Sequence, residues 1–333
     1  MKNYLILIRP YGMLFLGFTP VYGAIANGEF KFLHLMILLL IGLLTHIFSF
    51  VQNDYYDVNI DSKSKYVSKR PLVTESISQK TALFIFLFSF IICLLLAIFF
   101  FFTYYSFILL LLTFFLFTLY NKYSKRFTGL EYILCTGVFS FGVFGALTVS
   151  NNISYFVILI SAFAFFQWLF NVGVLANLKD IEFDSKHGIR TTPMVYGVHV
   201  SNKKLVIPLL FSLYAFSIKI AHILFALSPI LLGYSSFFVY KFPIPGICFL
   251  ILSILVLYLT YKILTTPLKK RNKMLVFVGF QEGFAFLLLP IALMSYLLEN
   301  IGLFPTVLII LLLIFWPLFW FRVLFGKKMI PLE

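Results

Sequence analysis

The sequence predicts an all-α protein, a polytopic bundle of transmembrane helices. Hydrophobic residues make up 62% of the 333 residues and charged residues only 11%, whereas a soluble domain is roughly 45–50% apolar and about 25% charged. Long apolar runs recur to the end of the sequence, so a signal peptide does not explain them. Because backbone polar groups in lipid must hydrogen-bond within their own segment, these runs predict helices.

Ten apolar runs have the length of a spanning helix, which takes about 20 residues. In chain order they are Leu5–Ala26, Phe32–Val51, Thr81–Phe102, Ser106–Tyr120, Gly129–Val149, Ile153–Leu175, Leu205–Leu224, Gly246–Ile263, Met274–Leu298 and Leu303–Phe325. The fourth run is short, and we expect its helix to begin a few residues earlier. The apolar segment 225–242 carries Pro229, Gly233 and a serine pair, and it fits an interfacial segment, an extension of the seventh helix or an eleventh crossing.

Basic residues predict the orientation. With the N-terminus in the cytoplasm, all but three of the 26 Lys and Arg residues lie in cytoplasmic loops or helix ends, as the positive-inside rule requires. The exceptions are Lys31, Lys219 and Lys241. An eleventh crossing at 225–242 would move the Lys269–Lys273 cluster outside, so we predict ten crossings and cytoplasmic termini. The net charge of +14 is then a topology signal, and no nucleic-acid partner is predicted.

All aspartates of the chain lie in two short segments, residues 53–61 and 177–184. Each segment carries three carboxylate or amide side chains at relative positions 0, 3 and 7, a spacing that puts them on one face of a helix. The two sets are Asp54, Asp57 and Asp61, and Asn177, Asp180 and Asp184. Charged residues beyond a helix end are usually solvated, but two matched copies that hold every aspartate favour a functional interpretation.

These faces predict a magnesium site. Acidic groups on one helical face repel each other and resist desolvation near a membrane, and a bound cation relieves both penalties. Carboxylates with retained water suit Mg²⁺, and substrate phosphates usually complete its octahedron. No His lies within either segment and no Cys lies near one, which disfavours transition metals. Nearby basic residues can bind the diphosphate oxygens that the metal leaves free: Lys69, Arg70, Lys122, Lys125, Arg126 and Arg190.

At these residues the sequence resembles the UbiA superfamily of intramembrane prenyltransferases. The family's NDxxDxxxD motif after the second helix is matched by residues 53–61, and a trailing Arg-Pro by Arg70-Pro71. Its second motif, DxxDxxxD after the sixth helix, is matched in residues 177–184, with Asn177 in place of the first aspartate. Thr74-Glu75 stand where the family often has Ser-Gly. Arg9-Pro10 and the stretch Tyr120 to Arg126 are also similar, and the resemblance covers roughly Arg9 to Lys273.

The resemblance implies a nine-helix core around a cavity that opens sideways to lipid. We expect this UbiA-like domain over residues 1–298, and an additional transmembrane helix with a short basic tail over residues 299–333. The implied reaction is ionisation of an allylic prenyl diphosphate bound to Mg²⁺. The carbocation then alkylates an acceptor, commonly an aromatic ring and sometimes a hydroxyl. The implied partners are a prenyl diphosphate, a lipophilic acceptor and membrane lipid, at a cell-membrane site that faces the cytoplasm.

The resemblance also implies a role for each motif residue. The implied catalytic aspartates are Asp57, Asp61, Asp180 and Asp184. The implied metal ligands are these four together with Asn53 and Asn177. The implied diphosphate-binding residues are Arg70, Lys125, Arg126 and Arg190. Asp54 is a further ligand or a supporting residue. Asn171, deeper in the sixth helix, is expected to line the cavity.

Three other functions are compatible with a membrane protein of this composition. A prenyl diphosphatase or terpene cyclase would use the same ionisation without an external acceptor. A transporter is less favoured because transporter sites lie near the bilayer midplane. A CDP-alcohol phosphotransferase would carry a DGxxAR signature, which is absent. The acceptor stays open between an aromatic quinone precursor, a glycerol-phosphate ether lipid precursor and a tetrapyrrole.

Overall fold

The structure is a computed structural model that describes residues 1–201 and 204–326, and most of these residues are helical. The first seven α-helices are α1 (Lys2–Ile8), α2 (Met13–Ala26), α3 (Phe32–Asp61), α4 (Gln79–Phe101), α5 (Tyr104–Tyr123), α6 (Glu131–Leu147) and α7 (Tyr155–Leu169). The others are α8 (Asn177–Lys186), α9 (Thr192–Val195), α10 (Leu209–Leu231), α11 (Ile244–Thr265), α12 (Arg271–Ala292), α13 (Met294–Asn300) and α14 (Leu303–Phe325). A small antiparallel hairpin pairs β1 (His199–Ser201) with β2 (Lys204–Val206).

The predicted transmembrane bundle is confirmed. Among the described residues, nine helical stretches are long and apolar enough to cross a membrane. The remaining predicted run, the fifth, corresponds to α6, which is apolar but only 17 residues long. The first stretch combines α1, a 3₁₀ turn over Pro10–Gly12, and α2. Lys203, Lys327 and Lys328, counted above as cytoplasmic, lie outside the described residues.

Several helix ends differ from the apolar runs. Helix α3 continues ten residues past Val51 to Asp61. The stretch Tyr155–Lys186, which corresponds to the sixth predicted run, includes α8, so both acidic segments are helical. Helix α10 extends the seventh run to Leu231, which is one of the three interpretations considered for segment 225–242. The ninth run is divided between α12 and α13 at Leu293, shortly after Pro290.

The chain forms two compact units, and the first comprises Met1–Tyr123, Thr136–Ser161 and the described residues from Phe315 onward. In this unit α3 packs against α2, α4 and α5. Helices α2 and α6 meet at glycines: a Cβ built on Gly23 would lie 1.9 Å from the carbonyl oxygen of Gly142. Small residues that allow such close approach are typical of helix packing in membranes.

The second unit comprises Ser124–Cys135 and Ala162–Ile314. In this unit α12 packs against α10 and α11. A π-helix over Phe170–Ala176 joins α7 to α8. Such i→i+5 segments are rare and frequently lie at functional sites. Here the segment directly precedes the second acidic motif.

We expect a reporter fused after Lys328 to lie in the cytoplasm, because the basic residues predict ten crossings. A second reporter inserted after Asn152, between α6 and α7, should lie on the opposite side. Accessibility of both reporters in intact cells measures this topology. An extracytoplasmic signal from the Lys328 fusion would mean that a crossing has been miscounted, and the second reporter would tell whether the error lies before or after α7.

Candidate active site

The first acidic motif occupies the last turns of α3, in the first unit. Asp54, Asp57 and Asp61 retain exposures of only 3%, 6% and 8%. Carboxylates in so sheltered a place require partners. The structure provides them from two other segments of the same unit.

Two arginines converge on this motif. The Arg9 guanidinium donates to Oδ1 of Asp54 at 2.5 Å, and Arg70 donates to the same oxygen at 3.1 Å. Arg70 also donates to Oδ2 of Asp61 at 2.7 Å, so it bridges two carboxylates of one helix face. Arg70 therefore contacts the first motif, and its predicted binding of diphosphate stays a prediction.

Arg70 is fixed by a compact loop between α3 and α4. Its amide donates to the Val67 carbonyl at 3.0 Å, and its own carbonyl accepts the amides of Val73 and Thr74 at 3.0 Å each. Glu75, which stands where the family often has glycine, adopts the left-handed conformation with φ 57°. Glycine reaches that conformation without steric cost, whereas a residue with a side chain adopts it at a cost.

Arg9 is a site residue whose role sequence reasoning missed. It lies between α1 and the 3₁₀ turn, in the left-handed conformation with φ 49°. Its guanidinium carbon lies 5.2 Å from the Phe50 ring centroid, one helical turn before Asp54. The only sequence signal was the Arg-Pro similarity, because the Arg9–Asp54 pair joins residues 45 positions apart.

The second acidic motif lies on α8, in the second unit, and its aspartates also have basic partners. Arg271, the first residue of α12, donates to Oδ1 of Asp180 at 3.0 Å. Lys125 lies 3.9 Å from Oδ1 of Asp184, whose exposure is 1%. The sequence predicted Lys125 as a diphosphate-binding residue, and it used Arg271 only as a topology signal.

The remaining predicted residues occupy different environments. Arg126 and Arg190 are exposed, and the Arg190 carbonyl accepts the Thr128 hydroxyl at 2.7 Å. Asn53 is half-buried at the first motif. Asn177 is half-buried, and its side-chain amide donates to the Gly173 carbonyl at 3.5 Å.

Asn171 lies in the π-helix and belongs to a polar network inside the second unit. The Gln167 side-chain amide donates to Oδ1 of Asn171 at 2.8 Å, and the Lys219 ammonium donates to Oε1 of Gln167 at 2.7 Å. Lys219 is fully buried and lies 3.9 Å from the Phe170 ring centroid. These contacts join α7 to α10, which is a common use of polar groups in membrane helices.

The residues present fit Mg²⁺ that arrives with a phosphate-bearing substrate. Among the described residues, no three His, Cys, Asp or Glu side chains form a group able to hold a metal alone. Each motif nevertheless offers carboxylate and amide oxygens, with Arg or Lys beside it. Mg²⁺ is usually bound through one or two carboxylates, with water and substrate phosphates as its other ligands.

Known proteins with the same features were found by sequence and by structure. The UbiA prenyltransferase family matches residues 14–244. A UbiA homolog from Aeropyrum pernix K1 superimposes with a TM-score of 0.61 at 16% identity, covering 87% of this chain and 98% of that one. A UbiA homolog from Archaeoglobus fulgidus bound to GPP and Mg²⁺ gives 0.56 at 18% identity, covering 86% and 99%.

A digeranylgeranylglyceryl phosphate synthase gives a TM-score of 0.58 at 20% identity, covering 91% of this chain and 99% of that one. No curated protein sequence matches the chain.

Proposed function

Since this chain belongs to the UbiA prenyltransferase family and has the helical fold of its solved members, we propose that it is an integral-membrane prenyltransferase. It transfers a prenyl chain from a Mg²⁺-bound polyprenyl diphosphate to a lipophilic acceptor, which we take to be aromatic. The site lies at the cytoplasmic side of a cell membrane, and both substrates enter from lipid. The catalytic domain covers residues 1–298, and residues 299–333 add a transmembrane helix and a basic tail.

The observation that carries this proposal is the pairing of acid and base at both motifs. Asp61 is held by Arg70 in the first unit, and Asp180 by Arg271 in the second. A metal diphosphate needs both kinds of group, since carboxylates bind the cation while guanidinium and ammonium groups bind phosphate oxygens. A solvated loop end would not bury such groups.

Each residue then has a defined task. The metal ligands are Asn53, Asp57, Asp61, Asn177, Asp180 and Asp184. The diphosphate-binding residues are Arg70, Lys125, Arg126 and Arg190, to which we add Arg9 and Arg271. Asp54 positions Arg9 and Arg70, because its Oδ1 already accepts from both. Asn171 is proposed to contact the substrates deeper in the bilayer.

The chemistry requires charge stabilisation more than proton transfer. Bound Mg²⁺ would stabilise the negative charge that develops on the leaving diphosphate. Donors that are already oriented toward that charge need little reorganisation during the reaction. Arg70 has five N–H donors and is fixed by its loop and two carboxylates, so it is oriented before any substrate arrives.

The named ligands of one solved relative support the donor class. The A. fulgidus homolog was solved with GPP and Mg²⁺ and with DMAPP and Mg²⁺. The acceptor has no comparable support, and the same ionisation without an external acceptor would make the protein a prenyl diphosphatase or terpene cyclase.

Product analysis with purified protein in lipid nanodiscs tests this proposal. Labelled prenyl diphosphates of several lengths are supplied with Mg²⁺ and a panel of quinone precursors, glycerol-phosphate ether lipid precursors and tetrapyrroles. We expect a prenylated acceptor that forms only with Mg²⁺. Recovery of prenol or hydrocarbon alone would replace the transferase with the diphosphatase or cyclase, and no consumption of any donor would contradict both.

A further inference from the structure

The C-terminal helix α14 lies outside the residues that match the family, yet its second half contacts the segment that carries Arg9. We infer that Trp316 is a positioning residue for prenyl transfer: it holds the Pro10 turn and thereby keeps Arg9 against Asp54. The inference rests on the proposed function, because it assigns Trp316 a role through a residue proposed to bind diphosphate.

The Trp316 side chain of α14 forms a hydrogen bond with the turn. The Trp316 indole N–H donates to the Pro10 carbonyl at 2.6 Å, across 306 positions of sequence. The same carbonyl accepts the Met13 amide that ends the 3₁₀ turn. A carbonyl oxygen has two lone pairs, so the turn and the indole use both acceptor sites of Pro10.

The neighbouring residue strengthens this contact. The Tyr11 ring stacks on Phe321, with ring centroids 4.6 Å apart and planes inclined by 27°. It also meets the edge of Phe325, at 5.9 Å between centroids. Helix α14 therefore contacts two consecutive residues of the turn, Pro10 and Tyr11, with three aromatic side chains.

The turn matters because Arg9 is held in an unfavourable backbone conformation. Its φ of 49° lies in the left-handed region, which non-glycine residues adopt at a steric cost. Such a conformation persists only when the surroundings hold it. At the side-chain end Arg9 contacts the Asp54 carboxylate. At the backbone end its amide donates to the Leu5 carbonyl, and the Pro10 turn follows it.

Loss of the indole donor should therefore act through Arg9. Without it Pro10 can shift, Arg9 can relax toward ordinary backbone angles, and its guanidinium leaves Oδ1 of Asp54. Arg70 would remain on Asp54 and Asp61. The first motif would keep one arginine of two, so binding of the diphosphate should weaken more than turnover of bound substrate.

The chain offers a matched control on the same helix. Trp320 lies one turn after Trp316, and its buried indole N–H has no hydrogen-bond partner among the described residues. Trp316→Phe and Trp320→Phe both remove an indole and keep an aromatic ring. Only Trp316→Phe removes the contact with the Pro10 turn.

The experiment is a double-mutant cycle with Arg9→Gln, measured in lipid nanodiscs with geranylgeranyl diphosphate, Mg²⁺ and, for the rates, an acceptor that the wild-type protein prenylates. Calorimetric binding of the diphosphate, KM, kcat and the melting temperature are recorded for each variant. We expect Trp316→Phe to weaken diphosphate binding about fivefold, the loss of one hydrogen bond, with little change in kcat. Trp320→Phe should bind as wild type, and Trp316→Phe should cost nothing further in Arg9→Gln.

Two results overturn the inference. Equal diphosphate binding by Trp316→Phe and Trp320→Phe would show that the indole contact is only structural. If Arg9→Gln still bound the diphosphate more weakly than wild type, the proposed function would remain intact. If Trp316→Phe weakened diphosphate binding equally in the wild-type and Arg9→Gln backgrounds, Trp316 would act through residues other than Arg9. If the wild-type protein binds no diphosphate in the presence of Mg²⁺, the proposed function itself fails. The melting temperatures of the variants then report only on the packing of α14.

Discussion

Replacing Asp57 or Asp184 by Asn should reduce turnover by about 10²- to 10³-fold, the usual cost of removing one electrostatic stabiliser of a transition state. Both substitutions keep the shape of the side chain and remove its charge. Both aspartates are buried, with exposures of 6% and 1%, so solvent cannot replace the missing charge. Steady-state rates of prenyl transfer at saturating donor measure the effect, and excess Mg²⁺ should restore activity only in part.

The second motif supplies a control for these variants. Glu182 lies two residues before Asp184 on α8 and pairs at 2.8 Å with Lys186, one turn later at the surface. Glu182→Gln should keep near-normal turnover, because exposed pairs of this kind contribute little. Melting temperatures of all three variants should stay close to wild type. Normal activity of both Asp57→Asn and Asp184→Asn would contradict the metal-binding role of the motifs.

Replacing Arg70 by Gln should lower kcat/KM by about 100-fold, because a charged donor to developing negative charge is lost. Arg70 is also the bridge between Asp54 and Asp61, at 3.1 Å and 2.7 Å. Its loss removes positive charge beside two carboxylates of one helix face, so the diphosphate anion is repelled more strongly and its KM should rise as well. Rates measured over a range of prenyl diphosphate concentrations at fixed Mg²⁺ separate the effect on kcat from the effect on KM.

Lys69→Gln is the matched control, because Lys69 precedes Arg70 and is exposed. Screening by solvent should make its effect small. If Lys69→Gln reduced kcat/KM as much as Arg70→Gln, the general charge of the loop would explain the loss. A specific role for Arg70 would then be excluded.

The sequence predicted the architecture well because lipid imposes a simple rule. Every spanning segment must be helical, so a count of long apolar runs is almost a count of helices. The helix ends were less predictable. Apolar residues stop near Val51, but α3 continues to Asp61 because its buried carboxylates find arginine partners that the local sequence does not reveal.

The same limit applied to the site. Spacing located both acidic faces, since offsets along a helix are local information. The partners Arg9 and Arg271 were not assigned to the site, because they contact aspartates 45 and 91 positions away. Arg271 also lies in a basic cluster that the positive-inside rule already explained. A long-range pair of this kind becomes visible only once the helices are packed.

Two further features had no local signal. The π-helix over Phe170–Ala176 has a composition that suits an ordinary membrane helix. Trp316 lies in a helix that looks like a simple C-terminal addition, yet its indole donates to a residue near the N-terminus. The resemblance to a family with nine helices gave no reason to connect that tenth helix with the site.

The most direct test of the central claim is Mg²⁺-dependent binding of a non-reactive prenyl thiodiphosphate to wild type, Asp57→Asn and Asp184→Asn. The claim is that the carboxylates of both acidic motifs take part in Mg²⁺-dependent binding of prenyl diphosphate. It predicts tight binding to wild type only with Mg²⁺, and binding weakened at least about 10-fold by either substitution alone. Unchanged binding in one variant would assign the site to the other motif, and Mg²⁺-independent binding would contradict the claim entirely.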